Sequence, residues 1–199
     1  MFEIAEYIGI IAFALSGFLV GVRSQLDFLG VLISVFLTAF GGGVIRDIIV
    51  DETPYTFTHT MPGVVVVSLM LVLILFRVHQ RESIENRPFF ILSDSIGLVS
   101  FSITGAMIAM DHGFNLTGVL ILAFITAVGG GITRDVIINE VPFVFKTGFY
   151  GTVSLLVGVW MFVLHEFALI NPYTTLLVFG LGVSIRILAY YRQWSIPLR

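Results

Sequence analysis

The sequence predicts an all-α membrane protein with seven transmembrane helices, built as two inverted three-helix repeats plus a seventh helix. Three observations support this class. First, 57% of the 199 residues are hydrophobic and only 12% are charged, and the mean hydropathy is +1.03. Second, the apolar residues form long runs. Third, one motif occurs twice. Soluble domains carry about 25% charged residues, so this chain has too little polar surface for water.

Seven apolar runs have the length of a membrane-crossing helix, which needs about 20 residues to span a hydrocarbon core of roughly 30 Å. The runs are too long for the strands of a membrane barrel, and they lack the alternation of such strands. They lie at residues 4–22, 28–50, 62–78, 90–110, 117–138, 148–166 and 173–191.

A shift of 88 residues aligns the two halves of the chain without a gap. The stretch "AFGGGVIRDIIVDETPYTF" at 39–57 then falls on "AVGGGITRDVIINEVPFVF" at 127–145, with more than half of the positions identical. Each copy holds three spans, an odd number, so the second copy enters the membrane from the opposite side. The predicted units are a first repeat at 4–79, a charged cytoplasmic linker at 80–89, an inverted second repeat at 90–167 and a seventh helix at 173–191.

The loops predict the orientation of the chain. Arg23, the segment from Arg77 to Arg87, Lys146 and the C-terminal arginines fall on one predicted side. By the positive-inside rule this side is cytoplasmic, so the N-terminus is outside and the C-terminus inside. The acidic first residues, "MFEIAEYIG", do not resemble a cleavable signal.

Several function classes find no support in the sequence. No serine elbow, P-loop or zinc motif is present, cysteine is absent, and the four histidines are scattered. The net charge of −3 offers no basic patch for nucleic acid. We therefore expect no enzymatic activity, no cofactor, no metal site and no nucleic-acid partner.

The two triple glycines, 41–43 and 129–131, lie near the predicted centre of the second and fifth spans. Glycine disfavours a helix by about 1 kcal/mol relative to alanine, so three in a row favour a break. A break would free carbonyls at the negative end of a half-helix, which suits a cation, whereas the next half-helix would suit an anion. The alternative is close helix packing. Packing needs only one small residue per turn, so we expect a break.

Four charged residues lie one turn beyond the glycines: Arg46 and Asp47 in the first copy, Arg134 and Asp135 in the second. Charges inside a membrane usually face the protein interior or a water-filled path. Neighbouring residues on a helix point about 100° apart, so we expect pairing across the repeats, Arg46 with Asp135 and Arg134 with Asp47. The alternative is that these side chains extend to the membrane surface and pair locally.

Other polar residues near the spans allow two interpretations each. Glu6 and Asp94 are equivalent under the 88-residue shift and either attract cations to the two mouths or stabilise helix N-termini; the capping role is favoured. Ser16 and Thr104 either hydrate a pore or bond to carbonyls of their own helices.

The paired "GGGVIRDIIVDETP" and "GGGITRDVIINEVP", with three spans per copy and a lone seventh span, resemble the prokaryotic branch of the trimeric intracellular cation channel (TRIC) family. The resemblance extends from about Glu6 to Tyr191. It implies a homotrimer in the lipid of the prokaryotic inner membrane, with a potassium-favouring pore for monovalent cations, potassium or sodium, in each protomer. The Lys-Glu-Val tripeptide of the animal members is missing, so their phosphoinositide regulation is not implied.

The resemblance also implies that the second and fifth helices line the pore. Together with the hydroxyls noted above, it gives the expected ion pathway: Gly41, Gly42, Gly43, Gly129, Gly130, Gly131, Arg46, Asp47, Arg134, Asp135, Ser16 and Thr104. Two alternatives remain. Similar bacterial domains are also labelled glycine transporters, and inverted repeats suit a carrier of a small amino acid equally well. A membrane scaffold would explain the glycines but not the charges.

Overall fold

The computed structural model describes residues 1–78 and 87–194, which form nine helices and no strand. The helices are α1 (Phe2–Arg23), α2 (Phe28–Ile49), α3 (Tyr55–Thr58), α4 (Thr60–Leu75), α5 (Arg87–Asp111), α6 (Leu116–Ile137), α7 (Phe143–Lys146), α8 (Tyr150–Glu166) and α9 (Pro172–Tyr191). The predicted all-helical class is confirmed. The predicted linker at 80–89 falls mostly outside the described residues.

Each of the seven predicted runs corresponds to a helix. Five of them, α1, α2, α5, α6 and α9, are long and apolar enough to cross a membrane. The other two, α4 and α8, are apolar but have only 16 and 17 residues, a length of about 25 Å at 1.5 Å per residue. The chain is thus a multi-pass membrane protein, and the count of seven spans stays a prediction. The short helices α3 and α7 were not predicted.

The duplicated sequence gives duplicated local structure. The bounds of α2 and α6 differ by 88 residues at both ends, as do those of α3 and α7. The helix starts agree too: the Asp27 side chain accepts a hydrogen bond from the Gly30 amide at 2.7 Å, and Asn115 accepts one from Gly118 at 3.0 Å. Such N-caps fix where a helix begins. α9 has no counterpart in the first half.

Four helices form the centre of the molecule. α1 packs on α2 and α5, and α6 packs on α2 and α5, while α4 lies against α1 and α8 and α9 lie against α5. Small residues bring the inner helices together. A Cβ atom on Gly17 would lie 2.7 Å from the Ser34 carbonyl oxygen, and one on Gly105 would lie 2.8 Å from that of Leu122. Both distances are too short for any side chain.

The triple glycines do not break their helices. α2 and α6 run without interruption through both motifs, so the predicted break is wrong. The physical reason is that the two helices cross there. A Cβ on Gly130 would lie 2.6 Å from the Thr38 carbonyl oxygen, and one on Gly42 would overlap the carbonyl oxygen of Thr126. The packing gained at this crossing offsets the poor helix propensity of glycine.

The third glycine of each motif has a different neighbour. A Cβ on Gly43 would lie 3.3 Å from a carboxylate oxygen of Glu6, and one on Gly131 would lie 3.9 Å from a terminal nitrogen of Arg134. The motif therefore combines two functions. Its first two glycines allow the helices to cross, and its third leaves room for a buried charged group.

We expect Gly42→Ala and Gly130→Ala each to lower the free energy of unfolding by about 1–3 kcal/mol, because each methyl group would press on the backbone of the other helix. The melting temperature of the detergent-solubilised protein measures this loss. Gly180→Ala in α9 is the matched control, since nothing lies within 4 Å of its Cβ position. An equal loss in the control would contradict the crossing as the cause.

Candidate functional site

Charged side chains are buried in both halves of the central bundle. We call Glu6, Arg46 and Asp47 the first charge cluster, and Asp94, Arg134 and Asp135 the second charge cluster. All six residues are at most 4% exposed. Charged residues are almost never buried to this extent unless they are paired, so each cluster needs its partners inside the protein.

The Arg46 guanidinium group binds both acids of the first charge cluster. Nη1 and Nη2 donate to the two carboxylate oxygens of Glu6 at 2.7 and 3.2 Å, and Nε donates to Asp47 at 2.7 Å. Nη1 also lies 3.1 Å from the Thr104 hydroxyl. Such a two-point contact is among the stronger hydrogen-bonded pairs in proteins, and it holds α1 and α2 together.

The predicted pairing across the repeats is wrong. Each arginine instead binds the aspartate that follows it. In the second charge cluster, Nε of Arg134 donates to Oδ1 of Asp135 at 2.8 Å, and Nη2 lies 2.7 Å from the same oxygen in an ion pair. The angle of about 100° between neighbouring residues does not prevent the contact, because the arginine side chain is long enough to fold back. The ion pairs are local, as in the alternative interpretation. The side chains are buried, however, and do not extend to the membrane surface.

Each aspartate has a second role at the end of its helix. The free carboxylate oxygen of Asp47 accepts the backbone amide of Tyr55 at 2.8 Å, and that of Asp135 accepts the amide of Phe143 at 2.8 Å. These two amides open α3 and α7. One carboxylate therefore fixes an arginine and the turn after its helix, which explains why both short helices follow a Gly-Gly-Gly-x-x-Arg-Asp motif.

Tyr55 lies beside the first charge cluster and packs against two other rings. Its ring stacks on that of His59 with centroids 4.1 Å apart and meets Phe2 edge-on at 6.2 Å. Desolvation by burial raises the pKa of Tyr55 to about 12, so the phenol is neutral at physiological pH. Within the described residues, no three histidine, aspartate or glutamate side chains are grouped as a metal ion requires.

Hydrogen bonds of hydroxyl groups, not arginine–aspartate ion pairs, connect the two halves. Arg46 reaches Thr104 of the second half, as described, and Nη1 of Arg134 lies 3.4 Å from the Thr38 hydroxyl of the first half. The Ser16 hydroxyl donates to Asp94 at 3.3 Å. Sequence reasoning identified Ser16 and Thr104 but missed Thr38. Its position, one turn before the first glycine of its motif, could have indicated its role.

Glu6 and Asp94 are not helix caps, so the favoured interpretation of both is wrong. Both lie within their helices and are buried. Their partners differ, however. Glu6 forms an ion pair with Arg46, whereas among the described residues Asp94 has no ion pair and its Oδ2 atom is buried without a hydrogen-bond partner. Aspartate is one methylene shorter than glutamate, and this limits its reach toward Arg134.

Sequence reasoning also missed Arg186 in α9, which is fully buried. Its guanidinium carbon lies 4.8 Å from the ring centre of Tyr150, 5.8 Å from that of Tyr190 and 6.0 Å from that of Phe143. We call these three rings the aromatic cage. The signal was available, because Arg186 interrupts the last apolar run, and a charge inside a span is a functional candidate by default.

A cavity of about 550 Å³ leads to the second charge cluster. Arg134 and Asp135 lie in its wall, together with Tyr190 of the aromatic cage. Ser24 and Glu140, also in the wall, are joined by a hydrogen bond of 2.9 Å between α1 and the end of α6. The arrangement is a water-accessible recess that ends at a buried carboxylate–guanidinium pair.

Known proteins resemble this chain over almost its whole length. A family model described as a glycine transporter matches residues 3–80 and 91–166. The UPF0126 membrane protein YvgT of Bacillus subtilis is 33% identical, over 99% of this chain and 96% of its own. The UPF0126 inner membrane protein YadS of Escherichia coli K12 is 30% identical, over 97% of this chain and 92% of its own.

Solved structures agree with these relatives. A TRIC cation channel analysed for its conductance superposes with a TM-score of 0.84 at 32% identity, over 100% of this chain and 97% of the other. The chain belongs to the TRIC family. A prokaryotic TRIC channel crystallised in 0.5 M KCl gives a TM-score of 0.87 at 29% identity, over 98% of each chain.

These relatives of the TRIC protein are described as membrane proteins and channels, not as enzymes. The family model matches both halves of the chain but ends at residue 166. Helix α9, which carries Arg186, therefore lies beyond the matched region.

We expect Asp47→Asn to lower the free energy of unfolding by about 3–5 kcal/mol, because it removes one partner of a buried ion pair. The amide side chain also accepts more weakly from the Tyr55 backbone. Thermal unfolding in detergent measures the change. Asp51→Asn, at an exposed position just after the helix, serves as control and is expected to be neutral; equal losses would contradict the role given to Asp47.

Proposed function

We propose that this protein is a channel for monovalent cations that favours potassium. It works as a homotrimer with a pore in each protomer, in the prokaryotic inner membrane, with its N-terminus outside and its C-terminus in the cytoplasm. Two relatives support this: one is named a TRIC cation channel, and the Rhodobacter sphaeroides protein is named a trimeric intracellular cation channel orthologue and superposes with a TM-score of 0.81 at 26% identity. The proposal includes seven spans, with inverted repeats at 4–79 and 90–167.

The observation that carries the proposal is the pair of charge clusters on the two sides of the glycine crossing. Each cluster has two carboxyl groups and one guanidinium group. The first therefore has an excess of one negative charge, and the second has the same excess when Asp94 is ionised. A buried site with this excess attracts cations and repels anions. Hydroxyl groups of Ser16, Thr38 and Thr104 lie beside the clusters and supply further oxygen atoms.

The proposed pathway runs between α2 and α6, from the first charge cluster past Gly41–Gly43 and Gly129–Gly131 to the second charge cluster and its cavity. Because both helices are continuous, their carbonyls are engaged in backbone hydrogen bonds and contribute little to ion binding. Side-chain oxygens would therefore replace part of the hydration shell. The glycine crossing leaves no space for an ion, so conduction requires α2 and α6 to separate there.

A carrier for a small amino acid is the alternative function, and the family model bears the description of a glycine transporter. The likeness to structures named as channels does not favour it. The two functions differ in kinetics: a channel conducts many ions in each opening, whereas a carrier saturates with its substrate.

In a planar bilayer with asymmetric potassium chloride, we expect the purified protein to give unitary current steps that reverse near the potassium equilibrium potential. The two charge clusters predict this sign of selectivity. Vesicles loaded for uptake of radiolabelled glycine are the parallel measurement. Saturable uptake without unitary steps would contradict the channel and establish the carrier.

Ser16→Ala and Thr104→Val should each lower the unitary potassium conductance, because each removes an oxygen atom from the pathway. A hydrogen-bonding oxygen contributes about 1 kcal/mol, which corresponds to roughly a fivefold change in rate. Single-channel recording measures the conductance. Thr117→Val, an exposed hydroxyl at the start of α6, is the control. Unchanged conductance in both pathway variants would exclude these residues from the pore.

A further inference from the structure

Arg186 is the only one of the three buried arginines whose nitrogens lack every hydrogen-bond partner within the described chain. Nε, Nη1 and Nη2 are all buried and unpartnered, whereas Arg46 and Arg134 each bind a carboxylate. The three rings of the aromatic cage are the contacts that hold its charge. Burying a guanidinium group without a hydrogen-bonded partner costs free energy. The Arg186 side chain is therefore held only weakly in this position.

Asp94 is the complementary group. Its Oδ2 atom is buried and unpartnered, and it lies beside Tyr150 and within electrostatic range of Arg134 and Arg186. The same tyrosine ring lies under the Arg186 guanidinium group at 4.8 Å. A carboxylate oxygen without a partner and a guanidinium group without a partner are therefore both buried next to Tyr150.

The described residues of the first half contain no such pair of an unpartnered acid and an unpartnered arginine. There the equivalent acid, Glu6, is satisfied by two nitrogens of Arg46. In the second half the equivalent ion pair between Asp94 and Arg134 is not formed, and the additional arginine comes from α9. The two charge clusters are therefore unequal in two ways: the acid of the second is shorter and unpaired, and α9, which has no counterpart in the first half, adds an arginine.

We propose that Arg186 is a tethered cation that moves between the aromatic cage and Asp94, and that its pairing with Asp94 excludes permeant cations from the second charge cluster. The proposal rests on the channel function and describes its regulation. In the caged position, seen in this structure, Asp94 is available to a passing cation. In the paired position the guanidinium group neutralises Asp94 and occupies the place of that cation.

Charge explains why the pairing would block the pathway. Without Arg186 the second charge cluster has the same excess of one negative charge as the first. When Arg186 binds Asp94, its positive charge cancels the excess negative charge. The second charge cluster is then neutral and no longer attracts a monovalent cation, and the guanidinium group blocks access to Asp94. The aromatic cage competes for the same side chain through cation–π contacts, and the proposal requires that both positions are occupied.

The electrical test compares Arg186→Gln with the unmodified protein in planar bilayers. The expected result is an open probability for potassium that is about fivefold higher or more, the lower end of typical couplings between sites, because the tethered cation is gone. Arg186→Lys keeps the charge and is expected to stay near the unmodified value. Arg192→Gln, the exposed arginine just after α9, is the charge-matched control and should leave the open probability unchanged.

Dependence on Asp94 distinguishes gating from a general change of charge. In the Asp94→Asn background, Arg186→Gln should leave the open probability unchanged, because the tethered cation no longer has its partner. An unchanged open probability in the single variant Arg186→Gln, or the same increase in both backgrounds, would overturn the proposal.

A second measurement does not depend on conduction. Melting temperatures of the unmodified protein, the two single variants and the double variant form a thermodynamic cycle, which yields the coupling between Arg186 and Asp94. The expected result is a coupling that weakens when potassium chloride replaces N-methylglucamine chloride, because potassium competes for Asp94. Additive melting temperatures would overturn the pairing. If the cycle shows coupling but the unmodified protein carries no current, the channel function is wrong and the gating role with it.

Discussion

The need to satisfy two arginines inside a membrane protein governs the central structure. Arg46 and Arg134 are at most 2% exposed, so each needs a counter-charge within the protein. The neighbouring aspartate provides it and also holds the backbone that turns away from the helix. One acid thereby fixes the last turn of the helix, the following short helix and the direction of the guanidinium group. The position of α1 relative to α2 then follows from the second acid, Glu6.

The sequence was sufficient for the all-helical membrane class and for the approximate positions of the long apolar helices, because these depend on local apolar runs. It did not predict the short helices α3 and α7. It was not sufficient for the triple glycines. Helix propensity alone favours a break at Gly41–Gly43, but propensity is a weak prior, and contact with the Thr126 carbonyl outweighs it. The pairing of Arg46 failed for a similar reason, since a periodicity argument treats the side chain as a fixed vector although arginine is long and flexible.

Arg186 and Thr38 illustrate a different limit. Arg186 lies outside the repeat, so a search that starts from the repeat does not find it. Thr38 matches Thr126 under the 88-residue shift, but it carries neither the charge nor the glycine that drew attention to the motif. Their importance depends on which helices pack together. α9 is placed against α5 and α8, and only this packing brings Arg186 to the second charge cluster. Long-range packing of this kind has no signal in a single sequence apart from the presence of a charge within an apolar run.

The glycine crossing also constrains how the two halves can change over time. Gly42 faces the backbone at Thr126, and Gly130 faces the backbone at Thr38, the corresponding residue of the other copy. A larger residue in one copy therefore meets main-chain atoms of the other, which no side-chain change there can remove. The two copies are free to diverge on their outer surfaces, as the addition of α9 beside only one of them demonstrates. At the crossing, each copy limits the mutations that its duplicate can accept.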